Sequence, residues 1–197
     1  MRRIAIWSIR VMAILIITIP LVGCQQGTNS PPSPEPSSPI TTQGNTKVYS
    51  NSTYGFSFTV CNNPDFELIE KGSTVALLGP YLADMKYRIG IFVIADKVPK
   101  NTKLDDYLKA GRKEAESTVA NFAVTSESTR TVAGIQAKSS QYTYTLTLGE
   151  EDFTFKNTLV AFIKNDTVYA LKYDTPEEFY DQHVDCFNLL LSTFKFK

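Results

Sequence analysis

Met85-Lys86-Tyr87-Arg88-Ile89-Gly90-Ile91-Phe92-Val93-Ile94-Ala95 decides how this chain folds. Side chains alternate along an extended strand, so Tyr87, Ile89, Ile91 and Val93 share one face and Gly90, Phe92 and Ile94 the other. Both faces are apolar, which marks a central strand covered on both sides. Leu159–Ile163 repeats the pattern. Elsewhere the alternation is one-sided. Phe56, Phe58 and Val60 alternate with Ser57 and Thr59, and Tyr142, Tyr144, Leu146 and Leu148 with Thr143, Thr145 and Thr147. Such segments bury one face and wet the other.

Turn chemistry joins these strands into hairpins. Asn51-Ser52-Thr53 links Lys47–Ser50 to Gly55–Val60, and Lys71-Gly72 links Phe66–Ile69 to Thr74–Leu78. Further on, Ala123–Arg130 precedes Gly134–Leu148, Gly149-Glu150-Glu151-Asp152 reads as a turn, and Asn165-Asp166 joins Phe153–Lys164 to Thr167–Tyr173. Two segments carry helical spacing instead. Thr102-Lys103-Leu104-Asp105 has the spacing of a capping box, followed by Leu104, Tyr107, Leu108, Gly111, Ala115 and Val119 on one stripe. Thr175-Pro176-Glu177-Glu178 opens the second, which runs through Phe179, Val184, Phe187, Leu190 and Leu191, and Ser192–Phe196 closes the chain as a short edge strand. The expected fold is α+β: an antiparallel sheet flanked by two helices in an α/β/α sandwich.

That domain occupies residues 47–197, where all ten tyrosines and all twelve phenylalanines lie. At about 150 residues it is long enough to bury roughly 70% of its unfolded surface. What precedes it is different in kind. Residues 1–23 read as a lipoprotein signal: Arg2, Arg3 and Arg10 without an acid, an apolar run from Val11 to Val22, and then Leu21-Val22-Gly23-Cys24. The apolar run is too short for a permanent span. Gly23 fits a peptidase that needs a small residue before the cut, and the Cys24 thiol is the nucleophile that accepts a diacylglyceryl group and becomes the acylated first residue. Residues 24–46 follow as a spacer with five prolines and no aromatic, unable to form a core. Gln25 supplies no aspartate retention signal, so in a two-membrane cell the outer membrane is favoured.

Charge narrows the partners. Three of the twenty basic residues lie in the signal, leaving seventeen against twenty acidic ones in the mature chain. A mildly acidic protein has no general attraction to nucleic acid or to an anionic bilayer. The expected membrane contact is the lipid on Cys24.

Tyr54-Gly55-Phe56-Ser57-Phe58, Pro64-Asp65-Phe66, Leu104-Asp105-Asp106-Tyr107 and the closing Ser192-Thr193-Phe194 together resemble the PsbP-like fold family. That family holds an extrinsic photosystem II subunit, bacterial lipoproteins and a Ran-binding nuclear import factor. The resemblance covers nearly all of residues 47–197 and implies a binding or assembly module without catalytic residues.

A search of the residues for chemistry agrees. There is no Gly-x-Ser-x-Gly elbow and no glycine-rich phosphate loop. His183 is the single histidine, and one imidazole assembles neither a triad nor a zinc site. Glu150-Glu151-Asp152 reads as a solvated turn rather than a cation site. Asp105-Asp106 and Glu177-Glu178 are explained by helix dipoles. Cys61 and Cys186 admit three readings: a disulfide, two free buried thiols, or functional thiols; export favours the disulfide. No cofactor or metal is expected. The expected function is a membrane-anchored envelope lipoprotein whose domain binds a protein partner or small ligand. The alternative is an envelope hydrolase with an unrecognised carboxylate site.

Overall fold

The computed structural model describes residues 40–43, 46–63, 65–82 and 87–197, with side chains from Lys47 onward. The signal, Gly23, Cys24 and the spacer through residue 39 lie outside the described residues. Within the stretch expected as spacer, residues 40–43 form a strand. β1 (Ile40–Gln43) pairs antiparallel with β2 (Thr46–Asn51), from Ile40↔Tyr49 to Gln43↔Thr46. The β-branched run Ile40-Thr41-Thr42 suits an edge strand better than a stalk.

The strands form two sheets rather than the single one expected. β2 pairs with β3 (Phe56–Val60), and β11 (Lys195–Phe196) closes on the other side of β3, giving the order β1-β2-β3-β11. The larger sheet contains β4 (Glu67–Lys71), β5 (Thr74–Leu82), β6 (Tyr87–Lys97), β7 (Ala120–Val132), β8 (Ile135–Leu148), β9 (Glu151–Lys164) and β10 (Thr167–Pro176). Its order is β4-β5-β6-β10-β9-β8-β7. Two meanders therefore meet at β6 and β10, and α1 (Leu104–Thr118) carries the chain from the first to the far edge of the second. The two-faced apolar run on β6 is flanked by β5 and β10. Gly90 on it leaves room for the Phe92 ring: a Cβ there would stand 2.3 Å from that ring.

The two faces of the larger sheet collect different partners. Ile89, Ile91, Val93, Val160, Phe162, Tyr169 and Leu171 pack with β2, β3 and α2 (Tyr180–Thr193). The smaller sheet lies on the larger one face to face: Phe56 meets the Tyr169 ring edge-on at 6.1 Å, and Phe194 stacks on Phe56 at 5.2 Å. Burying three aromatics of the β2–β3 hairpin needs a facing apolar surface, which a place at a sheet edge would not supply. The opposite face, with Tyr142, Tyr144, Phe155, Leu159 and Ala170, receives Leu108 of α1.

Helix starts differ from expectation. Lys103 is the N-cap of α1 and makes no side-chain cap bond, while the Thr102 hydroxyl donates to the Pro99 carbonyl at 2.7 Å. The box is thus one residue out of register. Thr175 is no cap at all: β10 stays paired with β9 through Pro176↔Phe155, and a short 3-10 turn (Glu177–Phe179) precedes α2. The ladder with β9 holds this stretch extended. The expected four-residue turn shortens to Gly149-Glu150, and Glu151 and Asp152 join β9. Asn165-Asp166 turns with φ of 49° and 54°, as a tight hairpin between right-twisted strands requires.

Candidate functional site

Alternation sets one wall of the site. Glu127 and Thr129 on β7 stand opposite Ser140 and Lys138 on β8, and Ser140 in turn stands opposite Leu159, which packs on the α1 side. Helical spacing sets the other wall, where Asp105, Lys109, Arg112, Lys113 and Glu116 recur along one flank of α1. Tyr107, Gly111 and Ala115 are buried on the adjoining stripe. Between the walls is a cleft of about 960 Å³. Leu108 is its one apolar residue, and the aliphatic stems of its charged residues form much of the wall.

Two ion pairs span it. Arg112 meets Glu127 at 2.5 Å, and Lys138 meets Asp105. Asp105, read from sequence as a dipole-favoured first-turn acid, therefore also ties the helix to the sheet. Among the described residues, Lys109 and Lys113 have no acid within ion-pair distance.

A second polar cluster lies deeper on the same face. Asp174 is 4% exposed, accepts from the Tyr144 hydroxyl at 2.6 Å, and pairs with Lys172 at 2.9 Å. Burial first, and then the charge of Asp174, hold the Tyr144 hydroxyl protonated well above the usual tyrosine range. Asn157 stands opposite both Asp174 and Tyr142 in register, fully buried, and neither of its amide atoms has a hydrogen-bond partner within the protein. Such groups cost about 1–3 kcal/mol apiece.

The residues singled out from sequence are dispersed. His183 lies on α2 with its ring edge against Phe66, 5.6 Å between centroids. Asp152 accepts from Thr147 at 2.7 Å at the β8–β9 end. Cys61, just past β3, is joined to Cys186 of α2, with Cα atoms 5.1 Å apart. Among the described residues no three His, Cys, Asp or Glu side chains converge as metal ligands. The cleft residues were missed because charges on a helix flank and an edge strand look like ordinary solvated surface; the unmatched pair Lys109 and Lys113, one turn apart, was the available signal.

The mostly antiparallel α+β architecture with its two helices is a PsbP-like fold. Similar solved structures include cyanobacterial PsbP (CyanoP) from Synechocystis sp. PCC 6803, at a TM-score of 0.53 and 14% identity over 90% of this chain and 99% of that one. LpqN of Mycobacterium tuberculosis, described as involved in cell envelope biogenesis, gives 0.52 and 16% over 71% and 82%. The Saccharomyces cerevisiae Ran-binding protein Mog1p gives 0.52 and 9% over 77% and 95%. At these identities the likeness is one of fold. No family profile and no curated protein matches the chain.

Proposed function

We propose that this chain is a lipoprotein of the bacterial cell envelope, anchored through acylated Cys24, whose domain is a non-catalytic binding or assembly module. The observation that carries the binding reading is the cleft beneath α1: it is roomy and lined by charged side chains, and two of its three acids, Asp105 and Glu127, are already engaged by cations, leaving Glu116 alone. Asp174, a buried carboxylate on the same face, is engaged by Lys172 and Tyr144. A hydrolase of the two-carboxylate kind needs acids free to hold and release protons, and this arrangement does not favour one. Proteins of the same fold, a Ran-binding protein and one involved in envelope biogenesis, support a role in association. The anchor rests on Leu21-Val22-Gly23-Cys24, and export supports a Cys61–Cys186 bond formed in the envelope.

Two measurements test this. Labelled fatty acid should enter the wild-type chain and not Cys24→Ser; label in the variant overturns the anchor. A photo-reactive residue replacing Lys113 should give a discrete adduct in intact cells, and one replacing Lys71, on the opposite edge strand, none. Equal adducts at both positions would remove the cleft from the function.

A further inference from the structure

β7 is the outer strand of the larger sheet, and among the described residues it pairs with β8 alone. Twelve of its thirteen residues are at least partly exposed; Val132 is the buried one. Proteins protect such edges with bulges, prolines or lysines. The protection here covers half the strand. Register shifts fall between Ala120 and Ala123 and between Val124 and Ser126, whereas Ser126–Val132 runs in unbroken register without proline or lysine, its charges being Glu127, held by Arg112, and Arg130. A long regular edge left open is a template for another extended chain.

The side chains around this edge say which chain. A strand added beyond β7 would place alternate residues on the same face as Glu127 and Thr129, at the mouth of the cleft. Four cations face three acids there, and the two ion pairs consume Arg112 and Lys138. What remains is Lys109 and Lys113 on successive turns, a like-charge pair that isolated helices disfavour, against Glu116 alone. Small-molecule sites carry only a few polar groups, whereas seven charged side chains line this cleft.

We propose that β7 takes up an extended acidic segment of a partner protein along Ser126–Val132, its carboxylates meeting Lys109 and Lys113. The proposal rests on the binding-module reading and adds the chemistry of the partner. Main-chain pairing supplies the affinity, and the lysines supply the sign of the charge.

The test uses the full chain purified in detergent. The probe is a fluorescent peptide of about ten residues, a strand's length, alternating Asp and Val. Its counterpart alternates Lys and Val, and a third version carries the Asp pattern with alternate backbone nitrogens methylated. The acidic peptide should bind, and the other two should bind about tenfold more weakly or worse. Lys109→Glu with Lys113→Glu should reverse the preference between acidic and basic peptides while thermal unfolding stays unchanged. Thr129→Pro should weaken both; because an edge tolerates proline, its unfolding temperature is measured alongside, and the methylated peptide gives the same readout without altering the protein. Equal binding of the methylated peptide, loss of the acidic peptide to millimolar inorganic phosphate, or no response to charge reversal overturns the proposal. Adducts at Lys113 in cells without acidic-peptide binding would sink this inference and leave the module reading standing. Absence of both would sink the two together.

Discussion

On one face of the larger sheet, Tyr49, Phe56, Phe58, Phe162, Phe187 and Leu190 are sealed, each 0–1% exposed, beneath α2 and the smaller sheet. On the other, α1 touches down through Leu108, Tyr107 and Ala115 and otherwise stands over serines, threonines and ion pairs. The first face is dry, aromatic and stapled by the Cys61–Cys186 bond; the second has a smaller apolar centre around Tyr142, Tyr144, Phe155 and Leu159 and a charged, wet rim. The contrast teaches where stability and recognition reside. Apolar burial scales with area and gives a fold its free energy, whereas exposed ion pairs contribute little and rearrange easily. A surface meant to exchange partners is economical to build from the second material.

The largest effect that sharpens this contrast lies at the staple. The bond joins residues 125 apart, and closing so long a loop removes about 4–5 kcal/mol of unfolded-state entropy in the chain-entropy treatment. Cys61→Ala with Cys186→Ala should lower stability by about that much in denaturant unfolding. A loss under about 1 kcal/mol would mean that α2 and β3 hold together without the bond; Thr193, which accepts from the Thr59 amide at 2.9 Å, already ties them.

The second effect concerns the buried pair on the α1 face. Lys172→Met removes the ion-pair partner of Asp174, leaving it the Tyr144 hydroxyl, and should cost about 3 kcal/mol. Adding Asp174→Leu should recover most of that loss, since removing both charges together spares the desolvation penalty. If the double variant stays as unstable as the single one, the pair is not the source.

Third comes Tyr144→Phe, which removes a hydrogen bond to a carboxylate and should cost about 1.5–3 kcal/mol at neutral pH. Its pH signature is separate. The folded chain holds the Tyr144 proton above the ordinary tyrosine range, while the unfolded chain releases it near pH 10. Above about pH 10 the unfolded state therefore binds fewer protons, and stability falls as pH rises by about 1.4 kcal/mol per unit for this residue. Below that pH the contribution is fully present. The alkaline limb of Tyr144→Phe should be shallower by that slope, read from unfolding curves at successive pH values; an unchanged slope would place the titration elsewhere.

Much of this architecture was legible because the signals are local. The two-faced apolar run on β6, the hairpin turns at Lys71-Gly72 and Asn165-Asp166, and the stripe Tyr107, Gly111, Ala115 are each written within a few residues. The split into two sheets was not, because Phe56 and Phe58 alternate identically whether they meet a helix or a second sheet. Thr175 misled for a related reason: a threonine before Pro-Glu-Glu has the chemistry of a cap, and only the ladder with β9 keeps it extended. The cleft was the least legible part. Asp105 and Lys138, or Arg112 and Glu127, meet across separate elements, and neither pair differs in sequence from ordinary solvated charge.

The smallest effect is expected where the α1 face is most exposed. Arg112→Ala removes the contact with Glu127, whose side chain is 59% exposed, against 33% for Arg112. Pairs with this much solvent around them are worth about 0.2–1 kcal/mol and are screened by salt. Thermal unfolding should therefore shift little, and the remaining difference from wild type should shrink as salt is raised to about 1 M, where the Debye length is near 3 Å. Glu127→Ala should do the same, and the two changes together should cost no more than either alone if the pair is all they share. The contrast between the faces depends on this result. A loss of about 3 kcal/mol from Arg112→Ala, insensitive to salt, would show that the guanidinium is part of the core beside Tyr142 rather than a latch over it, because burial first and the charge of Asp174 next raise that tyrosine while Arg112 lowers it. A small, salt-sensitive loss leaves α1 as an element the fold can spare for recognition.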